Sequence, residues 1–182
     1  MKAEKLVIVA KEGRTTAEPR ERSLEDLYVR HAPDAARLAF LLTGDRELAE
    51  DVAQDAFIRV AGRFRHLRYP DAFPAYLRKT VVNRCMSIHR RAKVERTYVE
   101  RESSRSTHPP RELPDLATRD ELRVALRTLP MRQRAAIVLR YYHDLSEQQV
   151  ADALDCSPGA ARSLVLRGMT TLREQIGRDD DA

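Results

Sequence analysis

The chain has 182 residues, 42% of them hydrophobic and 34% charged, with no Trp and a formal net charge of +5 (pI near 9.5). This composition suits one or two small all-α domains with modest cores, and the basic surplus fits a nucleic-acid partner without proving one. It speaks against a disulfide framework (Cys85 and Cys156 are the only cysteines) and against a zinc site. The apolar run Leu6–Ala10 is too short for a signal-peptide core or a membrane span, so a soluble intracellular protein is expected.

Residues 1–22 mix Lys, Arg and Glu without a sustained period and are expected to be a disordered tail. Ser23 with Asp26 resembles a capping box, and Leu24, Leu27, Tyr28 and His31 follow at helical spacing. His31 suits a core or edge position better than a ligand position, because no partner stands at metal-site spacing. Pro33 is expected to interrupt; Ala35, Leu38, Ala39, Leu41 and Leu42 then form a second apolar helix, which Thr43-Gly44-Asp45 ends while capping the next. From Arg46 to about Gly62, Leu48, Ala49, Val52, Ala53, Ala56 and Val60 share one face. Asp51, Gln54, Asp55 and Ile58 form a narrow opposite stripe, which is either a solvated face or a docking surface for a basic partner helix. The segment Phe64–Phe73 reads as a loop rich in Arg, His and Tyr. Pro74 then opens a helix to about Lys93 that buries Leu77, Val81, Cys85 and Ile88. Its far side carries Thr80, Asn83, Arg84, Ser87, Arg90 and Arg91 with no Glu, a mixture suited to sugar-phosphate and base-edge contacts.

Residues 93–117 are charged, hold Ser103, Ser104, Ser106, Pro109, Pro110 and Pro114, and read as a flexible linker between a domain at 23–92 and a second at 118–177. In the second domain Thr118 forms a capping box with Glu121, and Leu122, Ala125, Leu126 and Leu129 define a helix stopped by Pro130. Met131 to Tyr142 forms the next helix, with Ile137, Val138 and Tyr141 inward. Leu145–Arg173 then has the signature of a helix-turn-helix. Ser146 with Gln149 starts one helix, Asp155-Cys156 make the turn, and Ser157 followed by Pro158 starts the other. On that last helix Ala161, Leu164, Val165, Gly168 and Leu172 fall on one side, and Arg162, Ser163 and Arg167 on the other. A recognition helix needs this arrangement, and a surface amphipathic hairpin would also show it. Residues 178–182 are an acidic tail. No Gly-rich phosphate loop, nucleophile elbow or converging ligand set points to catalysis, a cofactor, a metal or a small-molecule substrate.

Three pieces now stand in order: AEDVAQDAFIRV (49–60), FPAYLRKTVVNRCMSIHRR (73–91) and LPMRQRAAIVLRYYHDLSEQQVADALDCSPGAARSLVLRG (129–168). They resemble regions 2.2, 2.3–2.4 and 4 of the extracytoplasmic-function (ECF) sigma factors of bacterial RNA polymerase. The resemblance implies an all-α chain of two small domains, a region 2 helical bundle and a region 4 helix-turn-helix. It also implies a promoter-specificity subunit that is not an enzyme and works in the cytoplasm, on the nucleoid during initiation. Carried over by position, Asp51, Gln54, Asp55 and Ile58 would bind the clamp coiled-coil of core polymerase, with Phe57 as support beneath, and the second domain would meet the flap. Arg65, His66, Arg68 and Tyr69 with Asn83 would capture an unstacked base of the −10 element, and Arg84, Arg90 and Arg91 would hold its phosphates. Ser157, Ala160, Arg162, Ser163 and Arg167 would face the −35 element in the major groove. Anti-sigma partners are common in the family, though no residue here identifies one. The sequence departs from the family where recognition helices often read Thr-Val-Lys-Ser-Arg and this chain reads Ala160-Ala161-Arg162-Ser163-Leu164. It departs again where Ala61 and Tyr76 replace frequent tryptophans. A stand-alone helix-turn-helix regulator is the alternative reading.

Overall fold

A computed structural model describes residues 24–64, 72–102 and 117–179, with side chains described for 24–63, 72–94 and 122–175. The described residues form seven α-helices and no strand: α1 (Leu24–Thr43), α2 (Arg46–Phe64), α3 (Phe73–Glu102), α4 (Ala117–Thr128), α5 (Met131–Ile137), α6 (Glu147–Leu154) and α7 (Pro158–Asp179). A π-helical turn, Val138–Tyr142, extends α5. Helices α1, α2 and α3 pack as a bundle; α5 and α6 pack against α7; and α3 and α1 also meet the second group.

Each boundary has a local cause. Gly44, at φ 72°, sends its N–H back to Phe40 O and ends α1, and Asp45 then accepts the Leu48 N–H at 3.1 Å and starts α2. Pro33 does not interrupt as expected: α1 runs straight through it. Proline removes one backbone bond, but Leu27 before it and Ala35, Leu38, Ala39 and Leu42 after it are all buried on one face, and that burial outweighs the loss. Helix α3 likewise outruns expectation. The linker placed at residue 93 stays helical to Glu102, because 92–102 holds neither Gly nor Pro and is rich in Lys, Arg and Glu. Helix α4 begins at Ala117, so Thr118 lies inside its first turn instead of capping it. Leu122, one of the residues that define this helix in the sequence, is half exposed.

The bundle core is Ala-rich on α2 (Ala49, Ala53, Ala56) with larger side chains filling from α1 and α3, chiefly Leu38, Leu42, Leu77, Val81 and Val82. An aromatic chain closes one end: Tyr28 meets Phe57 edge-on with ring centroids 5.0 Å apart, Phe57 meets Phe73 at 5.5 Å, and His31 stacks obliquely on Phe73 at 5.7 Å. His31 is therefore an edge histidine of this cluster. Burial pushes the Cys85 thiol up to about 12, so it stays protonated within the packing of α3.

The second group is tied by backbone-directed side chains. Ser146 and Gln149 close the expected capping box, with bonds of 3.3 and 2.9 Å. Arg132 reaches Leu154 O, Arg140 reaches Leu145 O, and Thr128 Oγ1 meets Gln175 Oε1, joining α4 to α7. Gly168 is where α7 touches α5: a Cβ there would lie 2.6 Å from Ile137 Cδ1. The π turn adds one residue to a helical turn and so rotates the residues beyond it about the helix axis. Tyr141, expected inward, is 62% exposed, while Val138 and Leu139 are buried.

Candidate nucleic-acid interface

Three surfaces gather the residues singled out above. On α2, Asp51, Gln54 and Ile58 are exposed on one stripe, and Phe57 is buried beneath them. Asp55 differs from its neighbours. Its Oδ1 accepts from Arg59 Nε at 2.9 Å, and its Oδ2 lies 3.1 Å from Arg84 Nε in an ion pair without hydrogen-bond alignment. Asp55 therefore struts α2 against α3, and Arg84, expected on the DNA side, spends its guanidinium on that strut.

On α3, Asn83, Arg90 and Arg91 are exposed. Arg65, His66, Arg68 and Tyr69 lie outside the described residues, so no contact with Asn83 is described. At 100° per residue Lys79 falls on the same line as Asn83 and Arg90, a position the sequence reading passed over although the i, i+4 spacing to Asn83 was visible.

On α7, Ser157 Oγ accepts the Ala160 N–H at 3.2 Å and Ala161, Gly168 and Leu172 are buried, so the expected inner face exists. Arg162, Ser163 and Arg167 are exposed together on the outer face, and Ala160 is half-buried. Their present bonds are weak and local: Arg167 Nε to Ser163 O at 3.2 Å, Ser163 Oγ to Gly159 O at 2.9 Å, and Arg162 Nε 4.0 Å from Glu147. Such donors can be re-aimed at a groove at little cost. Leu166 stands exposed in the middle of this stripe and, with Tyr141 and Val165, lines a groove between the π turn, α6 and α7.

No sequence pattern points to Arg134. It is only 7% exposed and has no carboxylate partner among the described residues. Its guanidinium donates instead to carbonyls at the ends of two helices: Leu42 O of α1, and Arg127 O and Leu129 O at and beyond the end of α4. Burial, and then the nearby Arg127 charge, lower its pKa. Nothing in an amphipathic pattern distinguishes such a residue from a solvated arginine.

Among the described residues no group of three or more His, Cys, Asp or Glu could hold a metal ion, and no helix is long and apolar enough to cross a membrane.

Two family models match: sigma-70 region 2 over residues 27–95 and sigma-70 region 4 over residues 119–172. The chain is similar to the RNA polymerase sigma-E factor of Streptomyces avermitilis, 33% identical over 157 residues that cover 85% of this chain and 87% of that protein. It is also similar to the ECF RNA polymerase sigma factor SigE of Mycolicibacterium smegmatis, at 29% identity over 86% of this chain and 62% of that one. Among solved structures, the fold matches the sigma factor RpoE of Bartonella quintana, crystallised with the anti-sigma factor NepR (TM-score 0.67, 23% identity, 84% of this chain and 96% of that one). It also matches CnrH in complex with the cytosolic domain of CnrY (TM-score 0.63, 21% identity, 88% and 92%).

Proposed function

This chain belongs to the ECF branch of the sigma-70 family, the promoter-recognising subunits of bacterial RNA polymerase, and we propose a division of labour among three parts of its surface. The stripe Asp51, Gln54 and Ile58 docks on the clamp coiled-coil of the core enzyme. Asn83, Arg90 and Arg91, with the loop residues Arg65, His66, Arg68 and Tyr69, hold the melted −10 element. Ser157, Arg162, Ser163 and Arg167 meet the −35 element in the major groove. The observation that carries this reading is the outer face of α7, which presents Arg162, Ser163 and Arg167 together while Ala161, Gly168 and Leu172 anchor the helix behind them.

The mechanism is binding energy without chemistry of its own. Each DNA contact alone is weak; once the chain is docked on polymerase, the second element is met at a high effective concentration set by the linker. Strand opening is then driven by capture of unstacked non-template bases, since an extruded base offers a face for stacking and edges for hydrogen bonds. The protein works in the cytoplasm, on nucleoid DNA during initiation, and an anti-sigma protein is a further partner, as NepR is for RpoE. The −35 helix lacks the Thr and one basic residue common in the family, so it is the weaker clamp.

The test is run-off transcription with core enzyme on promoters selected from a random library by the reconstituted holoenzyme. Promoter-dependent transcripts that require the chain support the reading. Tight duplex binding as a dimer without polymerase, and no transcript, would instead identify a stand-alone regulator.

A further inference from the structure

Helix α7 keeps its large apolar side chains inward with one exception. Among its described residues Leu164, Val165, Met169 and Leu172 pack on the core, whereas Leu166 is 58% exposed. On the helical wheel Leu166 lies about 40° from Arg162 on one side and about 60° from Ser163 on the other, in the middle of the outer face. Gly159 stands two turns earlier on nearly the same line, with nothing within 4 Å of where a Cβ would be, so no side chain ahead of Leu166 shields it. The roll of the helix is fixed from behind. Ala161 is buried, and at Gly168 a Cβ would lie 2.6 Å from Ile137 Cδ1.

The polar groups beside Leu166 are of two kinds. The hydroxyls of Ser163 and Thr170 turn back and donate to the helix itself, to Gly159 O at 2.9 Å and Leu166 O at 3.1 Å. The guanidinium groups of Arg162 and Arg167 are exposed. The face thus presents two cationic forks with an apolar side chain between them. In the major groove the four bases differ in donors and acceptors, and thymine alone adds a methyl group. A leucine laid on a donor or acceptor leaves it without a partner, which is penalised. Laid on a methyl group, it removes apolar surface from water on both sides.

We propose that Leu166 is a specificity-determining residue that reads the C5-methyl group of a thymine in the −35 element. The inference rests on the assignment of the outer face of α7 to −35 DNA. Arginine on this face can grip guanine or phosphate, whereas Leu166 adds a preference that charge alone does not supply.

The experiment uses holoenzyme reconstituted from core polymerase and the full chain, on a promoter selected from a random library. Each −35 thymine is replaced in turn by deoxyuridine, which removes only the methyl group. At one position this is expected to weaken binding about fourfold, the worth of one buried apolar carbon. Cytosine at that position should weaken binding at least as much, and 5-methylcytosine should restore part of the loss. Leu166→Ala should bind the thymine and deoxyuridine promoters alike, while Leu166→Met, which keeps the apolar reach, should retain the preference. Both variants should fold as the parent chain does, since the site is exposed and both residues favour helix. A parent holoenzyme insensitive to deoxyuridine at every −35 position, or an undiminished deoxyuridine penalty with Leu166→Ala, overturns the inference. Poor assembly of Leu166→Ala on core with that penalty retained also overturns it, and assigns the leucine to the groove it shares with Tyr141 and Val165. Run-off transcription by the parent chain reads the sigma assignment separately: promoter-dependent transcripts without any deoxyuridine effect would sink the thymine contact and leave that assignment standing.

Discussion

Gly168→Ala sets two known magnitudes against each other. Replacing a mid-helix glycine by alanine stabilises an unconstrained helix by ~1 kcal/mol. At Gly168 the new Cβ meets Ile137 Cδ1 at 2.6 Å, Ile137 Cγ1 at 3.3 Å and Gln133 Cβ at 3.3 Å. Ile137 is 6% exposed, so its tip has little room to swing away. Overpacking of a filled core costs about 1–3 kcal/mol, so the net expectation is destabilisation of about 1 kcal/mol, with α7 pushed off α5. Ile137→Val removes the nearest atom and alone costs about 0.5–1.5 kcal/mol. Combined with Gly168→Ala it should cost less than the sum, by at least ~0.5 kcal/mol, because the deleted methyl is the one in the way. Urea denaturation followed by circular dichroism measures all three variants. Stabilisation of Gly168→Ala by the bare propensity increment, or strict additivity in the double variant, would refute the close α5–α7 contact.

Three further outcomes are expected. Burial first, then the Arg78 charge of α3, hold the His143 pKa below 6.5, with the Asp34 charge of α1 opposing. The packed form then resists protonation that the opened chain accepts, so stability is full above about pH 6.5 and falls as the pH drops from there through the lowered value. Denaturation midpoints compared at neutral and mildly acid pH should show this slope, and His143→Gln should flatten it. Asp51→Lys should weaken capture by core polymerase with an unchanged melting curve, whereas Asp55→Lys should lower the melting temperature as well, because Arg84 and Arg59 lose their partner; identical melting curves would deny the strut. Arg162→Ala should cost about 1–3 kcal/mol on the selected −35 duplex if the contact is a bidentate base pair, measured by competition against scrambled duplex, and an equal loss on both would mark a phosphate contact.

What could be read from the chain alone was whatever repeats with a helical period or carries its own cap. The capping box at Ser146, the cap at Ser157, the buried stripe of α2 and the outer face of α7 all follow from spacing, and the structure places them as expected. Structure and local spacing part where a non-local term overrides a local signal. Pro33 is a helix breaker whose single lost bond is outweighed by the burial around it. Tyr141 follows the helical period only until the π turn inserts its extra residue. The Lys79–Asp155 ion pair and the Arg134 bond to Leu42 O join residues 76 and 92 positions apart, and periodicity has no access to such pairs.

The length of α3 has a consequence for reach. A linker of 25 residues, as 93–117 was expected to be, could stretch ~85 Å at ~3.4 Å per residue. Between Glu102, where α3 ends, and Ala117, where α4 starts, lie 14 residues (103–116), whose covalent length sets an upper bound of ~50 Å. The ten helical residues 93–102 contribute ~15 Å as a rigid arm where an extended strand would give ~34 Å. The end of α3 thus acts as stored tether: each residue that unwinds lengthens the span by ~2 Å. How far the two DNA-reading units can part is then set by a helix–coil equilibrium as well as by the number of residues between them.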